Sequence, residues 1–229
     1  MAASKFDKIY ARAVKRKGED NLQEELNIAL LTASQISKLP RDRVLSEITK
    51  AVFRAGFVWR VIEQKWPGFE KAFWGFNIDR CAHMSFEDIE ALAKNTDIVR
   101  NRPKIQSVQT NASTIIEIEA QYASEYKNIS DLIACWPAEQ FNDLLFLLSK
   151  RFSRLGMQSA QYLLRFLGRD GYVIGRDGAA ILISVGLIDK PPTSIKAYKQ
   201  IQDTFNEWTA QTGYSQAQIS RVLALSTDA

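Results

Sequence analysis

Rings, a glycine and a cation meet in Phe53-Arg54-Ala55-Gly56-Phe57-Val58-Trp59. The mixture returns in Trp66-Pro67-Gly68-Phe69 and Phe73-Trp74-Gly75-Phe76, and cations follow at Ile98-Val99-Arg100-Asn101. Aromatic faces stack on planar bases, a glycine lets a ligand or a second backbone approach closely, and Arg or Lys meets phosphate. Together these residue types suit a site that handles a nucleobase. The same rings also suit an aromatic-rich core with ordinary turns, because most aromatic stripes are packing. Charge adds a direction. Between Lys150 and Arg176 six cations (Lys150, Arg151, Arg154, Arg165, Arg169 and Arg176) stand against one acid, Asp170. Further basic knots lie at Lys15-Arg16-Lys17 and at Arg100, Arg102 and Lys104. A solvated basic face explains such runs as readily as a surface that tracks phosphates. The formal net charge of +4 only permits an anionic partner.

The scarce residues exclude other chemistry. His83 is the one histidine, and Cys81 and Cys135 are the two cysteines. That inventory does not fill a Cys/His zinc site, so no metal site is expected. It also rules out any mechanism needing two histidines, and two cysteines do not make a disulfide framework. No serine lies in a Gly-x-Ser-x-Gly elbow. No run approaches the length of a membrane span, and Met1–Lys5 opens no long apolar signal stretch. The expectation is a cytoplasmic protein with no membrane partner.

These residues need elements to hold them, and the spacing of apolar positions is helical almost throughout. Leu45, Ile48, Val52, Ala55 and Trp59 form one stripe that runs into the turn at Gly56, with Asp42 as the expected N-cap after Pro40. Ser85-Phe86-Glu87-Asp88 and Ser215-Gln216-Ala217-Gln218 have the form of capping boxes. Pro103 suits the first turn of a long helix carrying Ile105, Val108, Ala112, Ile115 and Ile116. Two helices, Phe141–Phe152 and Met157–Leu167, are joined by a short turn, and Pro191–Ser194 leads into a helix over Ile195–Thr212. No alternating segment argues for a sheet, so the fold class is all-α.

The turn between the paired helices, Phe152-Ser153-Arg154-Leu155-Gly156-Met157-Gln158-Ser159-Ala160, resembles the helix-hairpin-helix of DNA repair glycosylases. That pattern reads apolar-x-Gly-apolar-Gly-x-x-Thr/Ser-Ala, and here Arg154 stands at its first glycine. A helix N-terminus offers unpaired N–H groups and the positive end of a dipole, which suits phosphate. Asp177, in Ile174-Gly175-Arg176-Asp177-Gly178, follows Gly156 by 21 residues, where the resemblance implies a catalytic Asp. An Asp at a helix start is also an ordinary N-cap. The lysine of the lyase members falls at Gln158, so a Schiff-base step is not implied.

Residues 53–105 narrow the resemblance to the bacterial 3-methyladenine DNA glycosylase I (Tag) family. Arg54-Ala55-Gly56-Phe57-Val58-Trp59 is similar to its Gln-Ala-Gly-Leu-Ser-Trp. Phe73-Trp74-Gly75-Phe76-Asn77 is similar to its Phe-x-x-Phe-Asp, and Ile98–Ile105 to its Ile-Ile-Arg-x-x-Lys-Ile. Three departures stand out. The zinc site is missing, the N-terminal Tyr-His-Asp motif is missing, and the base-reading Glu, eight residues before the motif Trp, is Ala51 with Glu47 one turn earlier.

The resemblance implies a helix-hairpin-helix glycosylase of two helical lobes around a cleft. One is a helical barrel of about 45–167 with the hairpin; the other is about 1–44 plus 168–229. It implies a monofunctional N-glycosylase that hydrolyses the N-glycosidic bond of an alkylated, 3-methyladenine-like base in double-stranded DNA, acting as a monomer. Base-binding roles fall to Trp59, Phe53, Glu47, Trp66 and Tyr162, and the wedge role to Phe57. Backbone contacts fall to Arg154, Gly156, Gln158, Ser159, Arg100, Arg102 and Lys104, and catalysis to Asp177. No cofactor is required, and a monovalent cation under the hairpin carbonyls is the one ion implied. Two alternatives stay open: a non-catalytic DNA-binding hairpin protein, and a protein-interaction module built on the aromatic cluster.

Overall fold

A computed structural model describes residues 4–227. Met1–Ala3, the start of the terminus read above for a signal stretch, lie outside the described residues. Helices in chain order are α1 (Lys5–Lys17), α2 (Glu19–Glu25), α3 (Ala33–Ser37), α4 (Arg41–Arg54), α5 (Trp59–Ala72), α6 (Ile78–Ala82) and α7 (Phe86–Lys94). Then come α8 (Arg102–Gln121), α9 (Ile129–Cys135), α10 (Phe141–Arg151), α11 (Met157–Phe166), α12 (Arg176–Ser184), α13 (Ile195–Thr212) and α14 (Gln216–Leu225). No strand occurs among the described residues, and none of their helices is long and apolar enough to cross a membrane.

The chain divides into two compact units. The first holds Leu31–Trp136 and Leu144–Arg169; the second holds residues 4–30, Pro137–Asp143 and residues 170–227. The first division falls at Leu31 rather than near residue 45, because α3 belongs with α9. Ser37 Oγ donates to Asp131 at 2.6 Å, and Ser130 Oγ donates to the Leu39 carbonyl at 2.8 Å.

Capping chemistry sets many of the boundaries. Ser85 and Ser215 open α7 and α14 with reciprocal boxes, as their spacing predicts. Asn101 caps α8 with Pro103 in its first turn, and Ser194 caps α13. Asp42 is not the cap of α4: Pro40 holds that position, and Asp42 lies in the first turn, where a carboxylate still suits the helix dipole.

In the first unit α4 is the central helix, with Val44, Leu45, Ile48, Val52 and Phe53 buried along it. Glu70 of α5 ties the two helices together. It receives Arg43 at 2.8 and 3.0 Å, Ser46 Oγ at 2.9 Å and Trp66 Nε1 at 3.0 Å. Burial alone would push its carboxyl up, but Arg43, Ser46 and Trp66 outweigh that and hold it below the usual range. Arg43 also donates to the Gly75 carbonyl. Trp74, Gly75 and Phe76 all have positive φ, so this aromatic-glycine run is a left-handed structural turn. In the second unit Asp170 receives the backbone N–H groups of Gln216 and Ala217 at the start of α14. There Asn142 binds Gln202, Tyr172 and the Tyr198 carbonyl beneath a ring cluster of Phe141, Tyr172 and Phe205.

Candidate functional site

A cavity of about 390 Å³ opens in the first unit between α4 and α11. From α4 come Ala51 and Arg54, one turn apart on a shared face, followed by its C-cap Ala55. From α11 come Gln158, Ser159, Tyr162 and Phe166, again at three- and four-residue spacing. The Gly56 turn and Trp59, the first residue of α5, close the third side.

The chain turns at Gly56 with φ +78°, a conformation that suits glycine. Lys104 holds this turn from α8. Its ammonium donates to the carbonyls of Val52 (3.0 Å), Phe53 (3.4 Å) and Ala55 (2.5 Å), the orphan acceptors at the end of α4. The same ammonium lies 4.5 Å from the centre of the Phe57 ring. Burial, followed by the nearby charge of Arg154, lowers its pKa. The resemblance assigns Lys104 to DNA phosphate; its ammonium is instead occupied inside the protein, where it caps α4 and props Phe57. Phe57, to which the resemblance gives the wedge role, is 38% exposed next to Gly56.

Three rings line the cavity at right angles or in offset stacks. Trp59, 43% exposed, meets Tyr162 edge-on at 5.3 Å and Phe166 at 6.0 Å, while Tyr162 and Phe166 are stacked at 6.3 Å. The Arg54 guanidinium packs 4.1 Å from the Phe166 ring centre and 5.3 Å from that of Trp59. Glu63 accepts from Arg54 Nε at 3.0 Å and from Nη2 at 2.5 Å, leaving Nη1 covered and without a hydrogen-bond partner. Burial would raise the Glu63 carboxyl, but Arg54 and Lys50 together hold it below the usual range.

Of the residues that the resemblance gives a base-binding role, Trp59 and Tyr162 line this cavity, together with Ala51. Phe53 and Trp66 do not reach the cavity. Phe53 is fully buried and meets Phe69 edge-on at 4.7 Å; Trp66 stacks on Phe69 and Phe76 and donates to Glu70. The resemblance gives both a base-binding role, but their rings already have partners on their faces and edges, so they are core. Glu47 faces Lys50 at 3.6 Å and is not part of the lining.

The hairpin joins α10 to α11. Gly156 is the N-cap of α11 and offers no side-chain cap, so the first-turn N–H groups are left for another acceptor. Gly156 has φ −74°, and a Cβ there would meet nothing within 4 Å; the left-handed residue is Arg154, at φ +63°. The position of the pattern's first glycine thus keeps a glycine-like conformation while carrying an exposed cation. Gln158 is exposed and, with Ser159, forms the cavity rim. Arg100 is exposed, whereas Arg102 pairs with Glu90 at 2.7 Å.

Asn111 of α8 fixes the hairpin turn. Its carboxamide accepts from the Ser153 N–H at 2.7 Å and donates to the Ser153 carbonyl at 3.2 Å, with no exposure to solvent. Sequence reasoning missed this residue, and also the roles of Arg54, Glu63 and Phe166. Only Phe166 had a readable signal, one helical turn after Tyr162. In the second unit Asp177 is not an N-cap: Gly175 holds that position, and Asp177 lies in the first turn of α12. Its carboxylate is 54% exposed, with Arg176 Nε at 3.6 Å.

Comparison with known proteins bears on these observations. Residues 41–140 match the model of the methyladenine glycosylase family. Over 66 residues the chain is 32% identical to DNA-3-methyladenine glycosylase 1 of Escherichia coli (strain K12), spanning 29% of this chain and 35% of that protein. It is 29% identical, also over 66 residues, to the DNA-3-methyladenine glycosylase of Haemophilus influenzae (strain ATCC 51907 / DSM 11121 / KW20 / Rd), spanning 29% of this chain and 36% of that one. The match thus covers about a third of the length of these curated relatives. In fold, the chain is similar to the Methanocaldococcus jannaschii 8-oxoguanine glycosylase/lyase in complex with a 15mer DNA containing 8-oxoguanine. The TM-score is 0.55 at 15% identity, over 95% of this chain and 94% of that one. The fold is that of the all-α helix-hairpin-helix glycosylases.

Proposed function

We propose, from the match of residues 41–140 to the methyladenine glycosylase family model, that the protein is a monofunctional DNA N-glycosylase of base-excision repair. It releases a damaged base of the 3-methyladenine kind from duplex DNA by hydrolysis, the lesion for which its curated relatives are named. The observation that carries this reading is the cavity itself. A space lined by Trp59, Tyr162 and Phe166 runs along the face of the hairpin's second helix, from Gln158 to Phe166.

The target base leaves the stack to be reached. Phe57, exposed on the Gly56 turn, fills the gap it leaves. Trp59 stacks on the extruded base, and a cationic base over an indole face gains roughly 0.5–2 kcal/mol. Phosphate oxygens meet the uncapped N–H groups of α11 and the Arg154 guanidinium, with Arg100 a further contact. Asp177 stabilises the positive charge that develops on the sugar and orients the attacking water. Gln158 carries no nucleophilic amine, so the reaction ends at the abasic site without strand cleavage. No organic cofactor enters this chemistry, and a monovalent cation at the hairpin would serve only to brace the turn.

The test is release of free base from methylated duplex DNA, measured together with duplex binding. Asp177→Asn should abolish release and leave binding in place. A wild-type protein that binds duplex but releases no base from alkylated, deaminated or oxidised DNA would return the hairpin to a purely binding role.

A further inference from the structure

The excess positive charge of this chain is confined to one helix. The sequence holds 30 cations and 26 acids. Within α1 there are six cations and one acid, which leaves 24 and 25 for everything else. At 3.6 residues per turn, Lys5, Lys8, Arg12, Lys15 and Arg16 fall within an arc of about 100° on the helix surface. All five are exposed. The one acid, Asp7, lies outside this arc and closes the capping box, accepting from the Ser4 N–H at 2.8 Å. Of the acids in α2, Glu19 accepts from Tyr10 at 2.7 Å, on the flank opposite the stripe, and Glu25 pairs with Arg221. Among the described residues no carboxylate pairs with Lys8, Arg12 or Lys15.

The rest of α1 narrows what the stripe can meet. Phe6, Ile9 and Ala13 are buried on its apolar face. Phe6 meets the Trp208 ring of α13 at 5.4 Å, and Arg16 donates to the Leu225 carbonyl of α14 at 3.1 Å. The apolar face is therefore spent inside the protein, and the helix has only charge to offer a partner. That charge weakens the helix itself. Cations three and four residues apart repel, and Lys5 stands in the first turn, at the wrong end of the dipole. A face that needs only solubility intersperses both signs. From Lys5 to Lys15 the helix rises about 15 Å, a length over which one strand of B-DNA presents about four phosphates.

We infer that this stripe of α1 is a second contact for the phosphate backbone of duplex DNA, carried by the unit to which the hairpin does not belong. Lys5 donates to the Gly186 carbonyl at 3.2 Å and fixes the start of the stripe; Lys8, Arg12 and Lys15 supply the charges that meet phosphate. The contact is electrostatic and reads no sequence, so it holds the protein on undamaged duplex. It rests on the duplex-binding half of the reading above and is independent of which base is released.

The experiment measures affinity of the full chain for an undamaged duplex across a salt series, for the wild type and for a variant carrying Lys8→Gln, Arg12→Gln and Lys15→Gln. A control loses the same charge elsewhere, through Lys71→Gln, Lys94→Gln and Lys127→Gln, all exposed and outside α1. In the α1 variant the slope of log affinity against log salt should fall by about 2–3, with low-salt affinity weaker by about tenfold or more, while the control changes its slope by less than about 1. Thermal melts check that each variant folds; should the triple variant not fold, Arg12→Gln alone should lower the slope by about 1. Equal slopes in the wild type and the folded α1 variant, or an equal fall in the control, overturn the inference. So does stripe-dependent binding to phosphatidylserine vesicles when duplex binding does not depend on the stripe. Release of free base from methylated duplex is followed alongside. A wild-type protein that binds duplex but releases no base fails as a glycosylase, and the slopes still decide the stripe.

Discussion

Two aromatic groups share the first unit and behave in opposite ways. Phe53, Trp66, Phe69, Phe73 and Phe76 form a stack in which every ring is buried, and their one polar edge, Trp66 Nε1, is answered by Glu70. Trp59, Tyr162 and Phe166 touch one another but form one side of an open box, lining the cavity beside a cation. Composition does not separate the two groups, since both combine Trp and Phe beside glycine. Their supports do. The stack lies along α4 and α5 and is sealed by a left-handed turn, whereas the box forms where α4 ends against the face of α11. Trp59 is available for recognition because the chain leaves α4 at Gly56 just before it, and it meets Tyr162 and Phe166 on the open face of α11.

The contrast is easiest to break in the middle of the stack. Phe69→Ala should cost about 3–5 kcal/mol of unfolding free energy, measured by urea denaturation. Trp59→Ala should cost under about 1.5 kcal/mol of stability. Its loss should appear in base release instead, where stacking of about 1–3 kcal/mol corresponds to roughly 5- to 150-fold. If both variants lose stability equally, the box is core and the distinction collapses.

The supports of the open side come next. Asn111→Leu removes both bonds to Ser153 and should cost about 2 kcal/mol, with duplex binding weakened beyond what stability explains. Lys104 and Arg154, whose charges feel each other, should then separate. Lys104→Met should cost about 1 kcal/mol of stability and leave the salt dependence of duplex binding as it was. Arg154→Ala should leave stability intact and lower the slope of log affinity against log salt by about 1. A change of slope in the lysine variant would restore Lys104 to the phosphate contacts.

The smallest effect is acid sensitivity in the stack. Glu70 has a folded pKa below its unfolded one, so its contribution is present above the ordinary carboxylate range and fades as pH falls through the lowered value. Glu70→Gln should be less stable at neutral pH and show a shallower loss on acidification, read from melting temperatures across pH. An acid limb identical to wild type would mean that Arg43 and Trp66 do not depend on its charge.

Much of this was legible in the residues. Helical spacing and caps at Ser85, Asn101, Ser194 and Ser215 are local signals, and each lies within a few residues of what it controls. The hairpin's helices end within one residue of their expected bounds, because Arg154 and Gly156 interrupt both apolar stripes. The unit boundary at Leu31 was not legible, since it depends on Ser37 and Ser130 reaching partners far along the chain. Rings were readable as rings, but nothing local separates Trp66 from Trp59; exposure is a property of the assembled helices. Arg54 and Glu63 are joined across a turn, and Asn111 reaches Ser153 from another helix. Such pairs leave no periodic trace.

Arg154 carries one further consequence. A non-glycine residue in the left-handed region costs about 1 kcal/mol relative to glycine, and here it is held at φ +63° with its side chain in solvent. Two laboratory selections would therefore pull this position apart. A screen for heat resistance would enrich glycine, which relaxes the backbone. A screen for survival under a DNA-damaging agent would keep arginine, which folds less well and places a charge at the mouth of the hairpin. Ranking variants at residue 154 under both pressures would show which demand this chain was built to meet.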